Sequence, residues 1–236
     1  MIAAVFGSSG GIGRALVSEL LARGTFQKIY AISRGGAAHD GALTRSVDFL
    51  DVIALSTLAA EMATEAPLGL CIVASGLLSD GDGLQPEKSY RQQSAHAFHR
   101  VFEANTIAPA LIAKHMLPLM PKKERSVFAA LSARVGSISD NRLGGWHAYR
   151  ASKAALNMLI RNYALEQARR APGSICVGLH PGTVDTALSQ PFQSGISEGK
   201  LFSPQQSASY LLDVTSRLTP EDSGKCFDWA GKEVPT

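Results

Sequence analysis

The 236-residue chain is 45% hydrophobic and 18% charged, with a mean hydropathy near zero, the composition of an ordinary soluble globular protein. Its 23 Lys and Arg against 20 Asp and Glu leave +3, too little and too dispersed to argue for nucleic acid or an anionic membrane as partner. No apolar run approaches the length of a membrane-spanning helix, and the N-terminus, MIAAVFGSSGG, lacks the charged n-region and longer apolar stretch of a signal peptide.

Short apolar runs alternate with helical patterns along the chain. IAAVF (2–6) reads as a buried strand and IGRALVSELLARG (12–24) as a helix closed by glycine. KIYAIS (28–33) is a second strand, TRSVDF (44–49) a short third, 52–66 a helix and LGLCIVAS (68–75) a strand. One long helix is expected over 93–119, ended by Pro118 and Pro121, followed by a strand at 125–131. HAYRASKAALNMLIRNYALEQARR (147–170) is helical, SICVGLH (174–180) a strand, 204–217 a helix and KCFDWA (225–230) the last strand. This alternation implies right-handed βαβ crossovers in a single α/β domain spanning 1–236: a doubly wound parallel sheet of about seven strands with helices on both faces. The Ser/Gly-rich stretch 185–203 lacks periodicity and reads as a mobile excursion over the substrate side. Cys71, Cys176 and Cys226 lie far apart, the first two within apolar runs; buried, reduced thiols are expected, in a cytoplasmic compartment.

The first strand runs into Gly7-Ser8-Ser9-Gly10-Gly11-Ile12-Gly13 directly before a helix. Glycines there permit a tight turn and let a pyrophosphate approach the main chain, with free N–H groups of the helix facing it. About twenty residues on, where a carboxylate would bind a ribose 2′-hydroxyl, the chain has Ser33-Arg34 instead. A guanidinium pairs with a 2′-phosphate that a carboxylate would repel, so NADP is favoured over NAD. Asp48 and Phe49 are placed to cap the adenine. Tyr149 and Lys153 sit four apart in a helix, hence on one face, about one turn apart. That spacing fits either packing or a phenol poised by an ammonium.

With GxxxGxG (7, 11, 13) after the first strand and YxxxK (149, 153) in a later helix, the chain resembles the single-domain short-chain dehydrogenase/reductase family over essentially its whole length. Ala74-Ser75-Gly76, Asn105 in VFEANTIAP, and Pro181-Gly182-Thr183-Val184-Asp185-Thr186 stand where that family has its other motifs; LSARVGSISDNRLGGWHAYRASKAALNM is similar to the C-factor subgroup, close to carbonyl reductases. The resemblance implies a Rossmann fold and NADP(H)-dependent interconversion of a small-molecule carbonyl and alcohol, in a homodimer or homotetramer. It also implies roles: Tyr149 as acid/base, Lys153 lowering its pKa and holding the ribose, and Asn105 fixing a water that relays protons to Lys153. The dinucleotide would lie along Gly7, Ser9, Gly11, Ile12, Gly13, Ser33, Arg34, Asp48, Phe49, Ala74, Ser75, Gly76, Pro181, Gly182, Val184 and Thr186. A cofactor-binding signalling protein of the C-factor type with little turnover is the other reading.

Three positions depart from the family pattern. Phe6 replaces a threonine and Ala74 an asparagine, and packing between these two is expected to compensate. Ala133 occupies the substrate-orienting serine's place, three residues before Gly136. Neighbouring strand side chains face opposite ways, so Ser132 can stand in only if the strand end twists or bulges. The competing reading is a buried strand serine bonded to backbone; Ser137 and Ser139 are the other hydroxyls. The loop 136–148 should line the substrate side, with Leu143 and Trp146 as apolar wall and Asn141 or Arg142 as polar contacts. His96, His99 and Glu103 share a helix face, but without a further nearby ligand they read as solvated, and no metal is expected. His180 is expected to pack near the cofactor without proton chemistry.

Overall fold

Apolar side chains on both faces of the central strands demand cover on both sides, and the computed structural model, which describes residues 1–194 and 199–236, shows how it is supplied. The strands are β1 (Ile2–Phe6), β2 (Lys28–Ser33), β3 (Leu43–Ser46), β4 (Leu68–Val73), β5 (Ser126–Leu131), β6 (Ser174–His180), β7 (Thr183–Val184), β8 (Leu201–Phe202), β9 (Cys226–Asp228) and β10 (Glu233–Val234). Eight of them form one sheet in the order β10-β9-β6-β5-β4-β1-β2-β3; β7 and β8 make a separate parallel pair. Only β10 runs antiparallel, as the return arm of a hairpin with β9. This two-residue arm, too short to read as an apolar run, takes the sheet beyond the seven expected strands. β3 also ends earlier than 44–49, at Ser46.

The helices are α1 (Gly11–Arg23), α2 (Val52–Ala63), α3 (Ala95–Phe102), α4 (Ala108–Met116), α5 (His147–Arg170) and α6 (Pro204–Arg217). Alternate residues of each strand feed two cores. Ala3, Val5, Ile29, Ala31 and Ile72 meet Leu16 and Leu20 of α1 and Leu211 and Leu212 of α6. Ile2, Ala4, Phe6, Tyr30 and Ile32 meet Leu55 and Met62 of α2, Ile112 and Met116 of α4, and Leu156 and Ile160 of α5. Local signals fix the helix ends. Asp51 caps α2, Ser94 caps α3, Ser203 and Gln206 form a capping box at α6, and left-handed Gly24 closes α1.

The helix expected over 93–119 is divided. Ser94 starts it late, and a π-helical turn, Glu103–Ile107, separates α3 from α4. Pro109 explains the turn. It has no N–H to give the Asn105 carbonyl four residues back, and its ring crowds that carbonyl. The widened turn accommodates it, with the Ala108 N–H bonding Glu103 O five residues back. All three cysteines are free and buried, as expected.

The chain passes from β1 outward through β2 and β3, then crosses back to β4, so neighbouring β1 and β4 send their following segments in opposite directions. Such a switch point leaves a crevice at the C-terminal ends of the strands. It is this end that carries the glycine turn.

Candidate active site

A cleft of about 740 Å³ lies across the switch point. Its floor at one end is the turn after β1. Gly7 has φ 87°, and a side chain there would bring Cβ within 2.7 Å of the Ser75 nitrogen. A Cβ on Gly13 would lie 2.1 Å from Gly7 O, so that glycine closes the helix onto the turn without facing the cleft. Gly7, Ser9, Gly10, Gly11 and Ile12 line it, and no side chain caps the N-terminus of α1. Ser33, Arg34, Gly35 and Phe49 line the next stretch. Arg34 is exposed at the rim, while the Ser33 hydroxyl accepts from Ala37 N. Asp48 does not join them. It is exposed beside that stretch, and its Oδ1 accepts from Leu50 N at 3.0 Å, while Phe49 faces the cleft. Nor do Phe6 and Ala74 pack together. They serve opposite cores, and Phe6 meets the Phe49 ring edge-on at 5.7 Å, backing the aromatic wall.

Ala74, Ser75 and Gly76 line the middle of the cleft. The Ser75 hydroxyl oxygen is buried and has no hydrogen-bond partner among the described residues. Gly76 sits where a Cβ would approach Lys153 Nζ to 3.7 Å and Asn105 Oδ1 to 3.4 Å. Asn105, wholly buried in the π turn, bonds both main-chain groups of one residue: Oδ1 accepts from Leu77 N and Nδ2 donates to Leu77 O, each at 2.8 Å. Nδ2 also donates to Ser152 Oγ at 3.1 Å. The Asn105 side chain thereby ties the β4 exit to α5.

Tyr149 and Lys153 complete the cleft, 9% and 3% exposed. Lys153 Nζ lies 5.7 Å from the centre of the Tyr149 ring and donates to Leu131 O at 2.7 Å. The expected lowering of the phenol pKa does not hold in the protein alone: burial pushes Tyr149 up to about 12. The same desolvation pushes Lys153 down to about 8. Ser132 lines the cleft beside them, but its hydroxyl donates to Asn157 Oδ1 at 2.6 Å, bonding a side chain of α5 where backbone was the expected alternative. Ala133 instead joins the apolar group around Tyr149. Ser137 Oγ accepts from Asp140 N, and Ser139 is exposed.

Of the predicted substrate wall, Trp146 is in place, its ring 6.2 Å from Tyr149 and 5.1 Å from Phe192. Leu143 is 90% exposed and Asn141 and Arg142 are exposed too, because this loop folds on itself, Asn141 Oδ1 accepting from Gly144 N. Pro181 and Thr186 line the cleft; Gly182 sits under Phe202 and Trp229, and Val184 is buried in the β7–β8 pair, both outside the lining. Thr186 rests on the start of α1, its Cγ2 2.7 Å from where a Gly11 Cβ would be. The excursion expected over 185–203 is anchored by that pair. Its residues 195–198 lie outside the described residues. His180 is outside the lining; burial takes its pKa down to about 4.

The sequence model of short chain dehydrogenases matches residues 1–196. The chain belongs to the short chain dehydrogenase family. It is 38% identical over 136 residues to C-signal of Myxococcus xanthus, an alignment covering 58% of this chain and 76% of that protein. It is 36% identical over 126 residues to the 1-hydroxy-2-glutathionyl-2-methyl-3-butene dehydrogenase of a Rhodococcus species, covering 53% of each. The second alignment thus spans about half the length of its relative. Among solved structures, the NADPH-bound carbonyl reductase from chicken fatty liver superposes with a TM-score of 0.84 at 25% identity, over 100% of this chain and 94% of that one. Family membership makes this chain an oxidoreductase, a dehydrogenase or reductase.

Several residues of this short chain dehydrogenase's cleft escaped the sequence reading: Gly10, Gly35, Leu131, Ala187 and Leu188 line it, and Phe192 walls Trp146. Leu188 and Phe192 had a signal, as apolar residues in an otherwise polar loop. Leu131 had none, since it contributes a backbone carbonyl.

Proposed function

We propose that this chain is an NADP(H)-dependent oxidoreductase that interconverts a carbonyl and an alcohol, with Tyr149 as the proton donor and acceptor. The observation that carries the reading is the buried Tyr149–Lys153 pair at the end of a cleft whose other end is the uncapped N-terminus of α1. The cleft fits a dinucleotide. A glycine-rich turn leads into the first turn of α1, whose N–H groups have no side-chain cap among the described residues, and the Ser75 hydroxyl and the Gly76 gap beside Lys153 Nζ face the middle of the cleft. Gly7, Ser9, Gly11 and Ile12 would hold the pyrophosphate, Arg34 a 2′-phosphate, Phe49 the adenine, and Lys153 with Pro181 and Thr186 the nicotinamide half. When bound, the reduced nicotinamide supplies the hydride.

The chain's own residues supply the proton. With its pKa near 12, Tyr149 is a neutral phenol at physiological pH and therefore an acid ready to donate from Oη to the carbonyl oxygen. The Lys153 ammonium over the ring stabilises the phenolate that donation leaves. In the oxidising direction the phenolate would take the alcohol's proton instead. Trp146, Phe192 and Leu188 keep water from the reacting face. Asn105 holds the Leu77 peptide, and with it the β4 exit, against α5.

Replacing Tyr149 with Phe should remove nearly all NADPH-dependent reduction of aldehydes and ketones while cofactor binding, followed by nucleotide fluorescence, survives. Near wild-type turnover in that variant would overturn the mechanism. One observation favours a second reading, a cofactor-binding signalling protein with little turnover: no hydroxyl stands at Ala133, and Ser132 is turned to Asn157. Micromolar NADPH binding without single-turnover oxidation by any of a panel of carbonyls would select it.

A further inference from the structure

We infer that Glu87 is a positioning residue for Tyr149: a buried carboxylate from the segment after β4 that fixes the first turn of α5. The inference rests on the proposed role of Tyr149 and goes beyond it. α5 is 24 residues long, yet its N-cap residue, Trp146, offers no side-chain cap to the orphan N–H groups of the first turn. Glu87, 61 positions before Ala148 in sequence, takes that place. Its Oε2 accepts from Ala148 N at 3.2 Å and its main-chain carbonyl accepts from Trp146 N at 2.5 Å. Tyr149 is the next residue.

Three features make this more than an ordinary cap. Trp146 is left-handed, φ 51° and ψ 44°, the only non-glycine residue with positive φ among those described. It follows two glycines in the same half of backbone space, Gly144 and Gly145. Backbone strain of this kind persists only where its surroundings over-determine it. Here the Glu87 carbonyl does so, lying 3.4 Å from where a Gly145 Cβ would be. The strained residue is also the one whose ring meets Tyr149.

Second, Glu87 is only 5% exposed, and no Lys or Arg pairs with it among the described residues. The partial positive charge at the start of α5 is what its carboxylate faces. Its Oε1 is buried and accepts no hydrogen bond from any of the described residues. A carboxylate held so is costly for stability alone, where an apolar side chain would fill the space. Third, Glu87 lines one narrow gap together with Ala148 and Tyr149. The segment bearing it is itself braced by an Asp80–Arg100 ion pair at 2.6 Å to α3.

The test uses the full chain, Glu87→Ala and Glu87→Gln, and two readouts. The first is amide hydrogen exchange without substrate. In Glu87→Ala, residues 146–149 should exchange at least about ten-fold faster while 157–170 are unchanged; Gln, which keeps an acceptor for Ala148 N, should restore protection. The second is steady-state carbonyl reduction, normalised to NADPH-binding sites and measured well below Tm. There Glu87→Ala should lose kcat by at least about ten-fold, with KM for NADPH within about two-fold, because a small misplacement of a reacting group costs rate before it costs binding. Glu87→Gln should recover most of kcat. Wild-type exchange in Glu87→Ala, or faster exchange spread evenly along α5 with kcat per site unchanged, would overturn the inference. A wild type that binds NADPH but reduces no carbonyl would sink the oxidoreductase reading instead, and the exchange readout would still decide whether Glu87 fixes Tyr149.

Discussion

Lys153 is held where its charge is least welcome. Its ammonium is buried, and its hydrogen bond to Leu131 O and the face of the Tyr149 ring replace water. Desolvation takes its pKa from 10.5 to about 8, which makes the group a measurable load on stability. Between those values the unfolded chain holds a proton the folded protein has released, so stability rises with pH across that window. The gain from pH 7 to 10 should be about 2–3 kcal/mol for this group. Tyr149 acts later and with the opposite sign. Its folded pKa is raised from 10.0 to about 12, so its contribution is intact below 10 and is lost as pH climbs through 12. Other buried phenols and thiols titrate alkaline as well, and they cancel when wild type is compared with Lys153→Met. Urea unfolding of both at pH 7 and pH 10 should show wild type gaining relative to the variant. A difference that stays flat with pH would mean the ammonium is not desolvated.

At the scale of elements, legibility tracked how far a feature depends on its own stretch of chain. Continuous apolar runs marked β1, β2, β4, β5 and β6 because parallel strands are buried on both faces whatever their neighbours do. Helix α5 was readable from end to end. The break between α3 and α4 was not read, although Pro109 announced it, because apolar periodicity on either side survives one inserted residue. Side-chain direction at the end of β5 was out of reach. That Ser132 turns to Asn157, and Ala133 to the group around Tyr149, depends on α5 packing across the strand. The same holds for Phe6, whose partner Phe49 arrives from another strand's exit. The π turn itself has a checkable role. It aims Asn105 at the Leu77 peptide, and Asn105→Ala would leave that N–H and C=O without partners. Each orphaned group costs about 1–3 kcal/mol, so a loss of roughly 3 kcal/mol is expected. It should appear as a lower urea midpoint at unchanged slope. An unshifted midpoint would show that water replaces the asparagine without penalty.

The whole molecule is arranged so that distant elements meet at one edge of the sheet. β1 and β4 bring the glycine turn and Gly76 side by side, β2 delivers Arg34 to the rim, and α5 delivers Tyr149 and Lys153 to the far end. A ligand spanning that edge touches elements from both halves of the sheet, so its binding should stabilise the fold as a unit, by RT ln(1 + [L]/Kd). Cofactor preference can therefore be read from melting curves. At a hundred-fold excess over Kd the gain is about 2.7 kcal/mol, a shift of a few degrees for a chain this size. Arg34 is the cation that lines the cleft beside β2 among the described residues, and charge-assisted hydrogen bonds of the kind it would give a 2′-phosphate are worth about 1.5–3 kcal/mol. Arg34→Ala should thus weaken NADPH binding about ten- to a hundred-fold and erase most of its thermal shift. NADH, lacking that phosphate, should bind wild type and variant within about three-fold of each other. Titrations of both nucleotides against both proteins decide the matter, since equal losses would mean that Arg34 does not read the phosphate and that selectivity resides elsewhere in the turn.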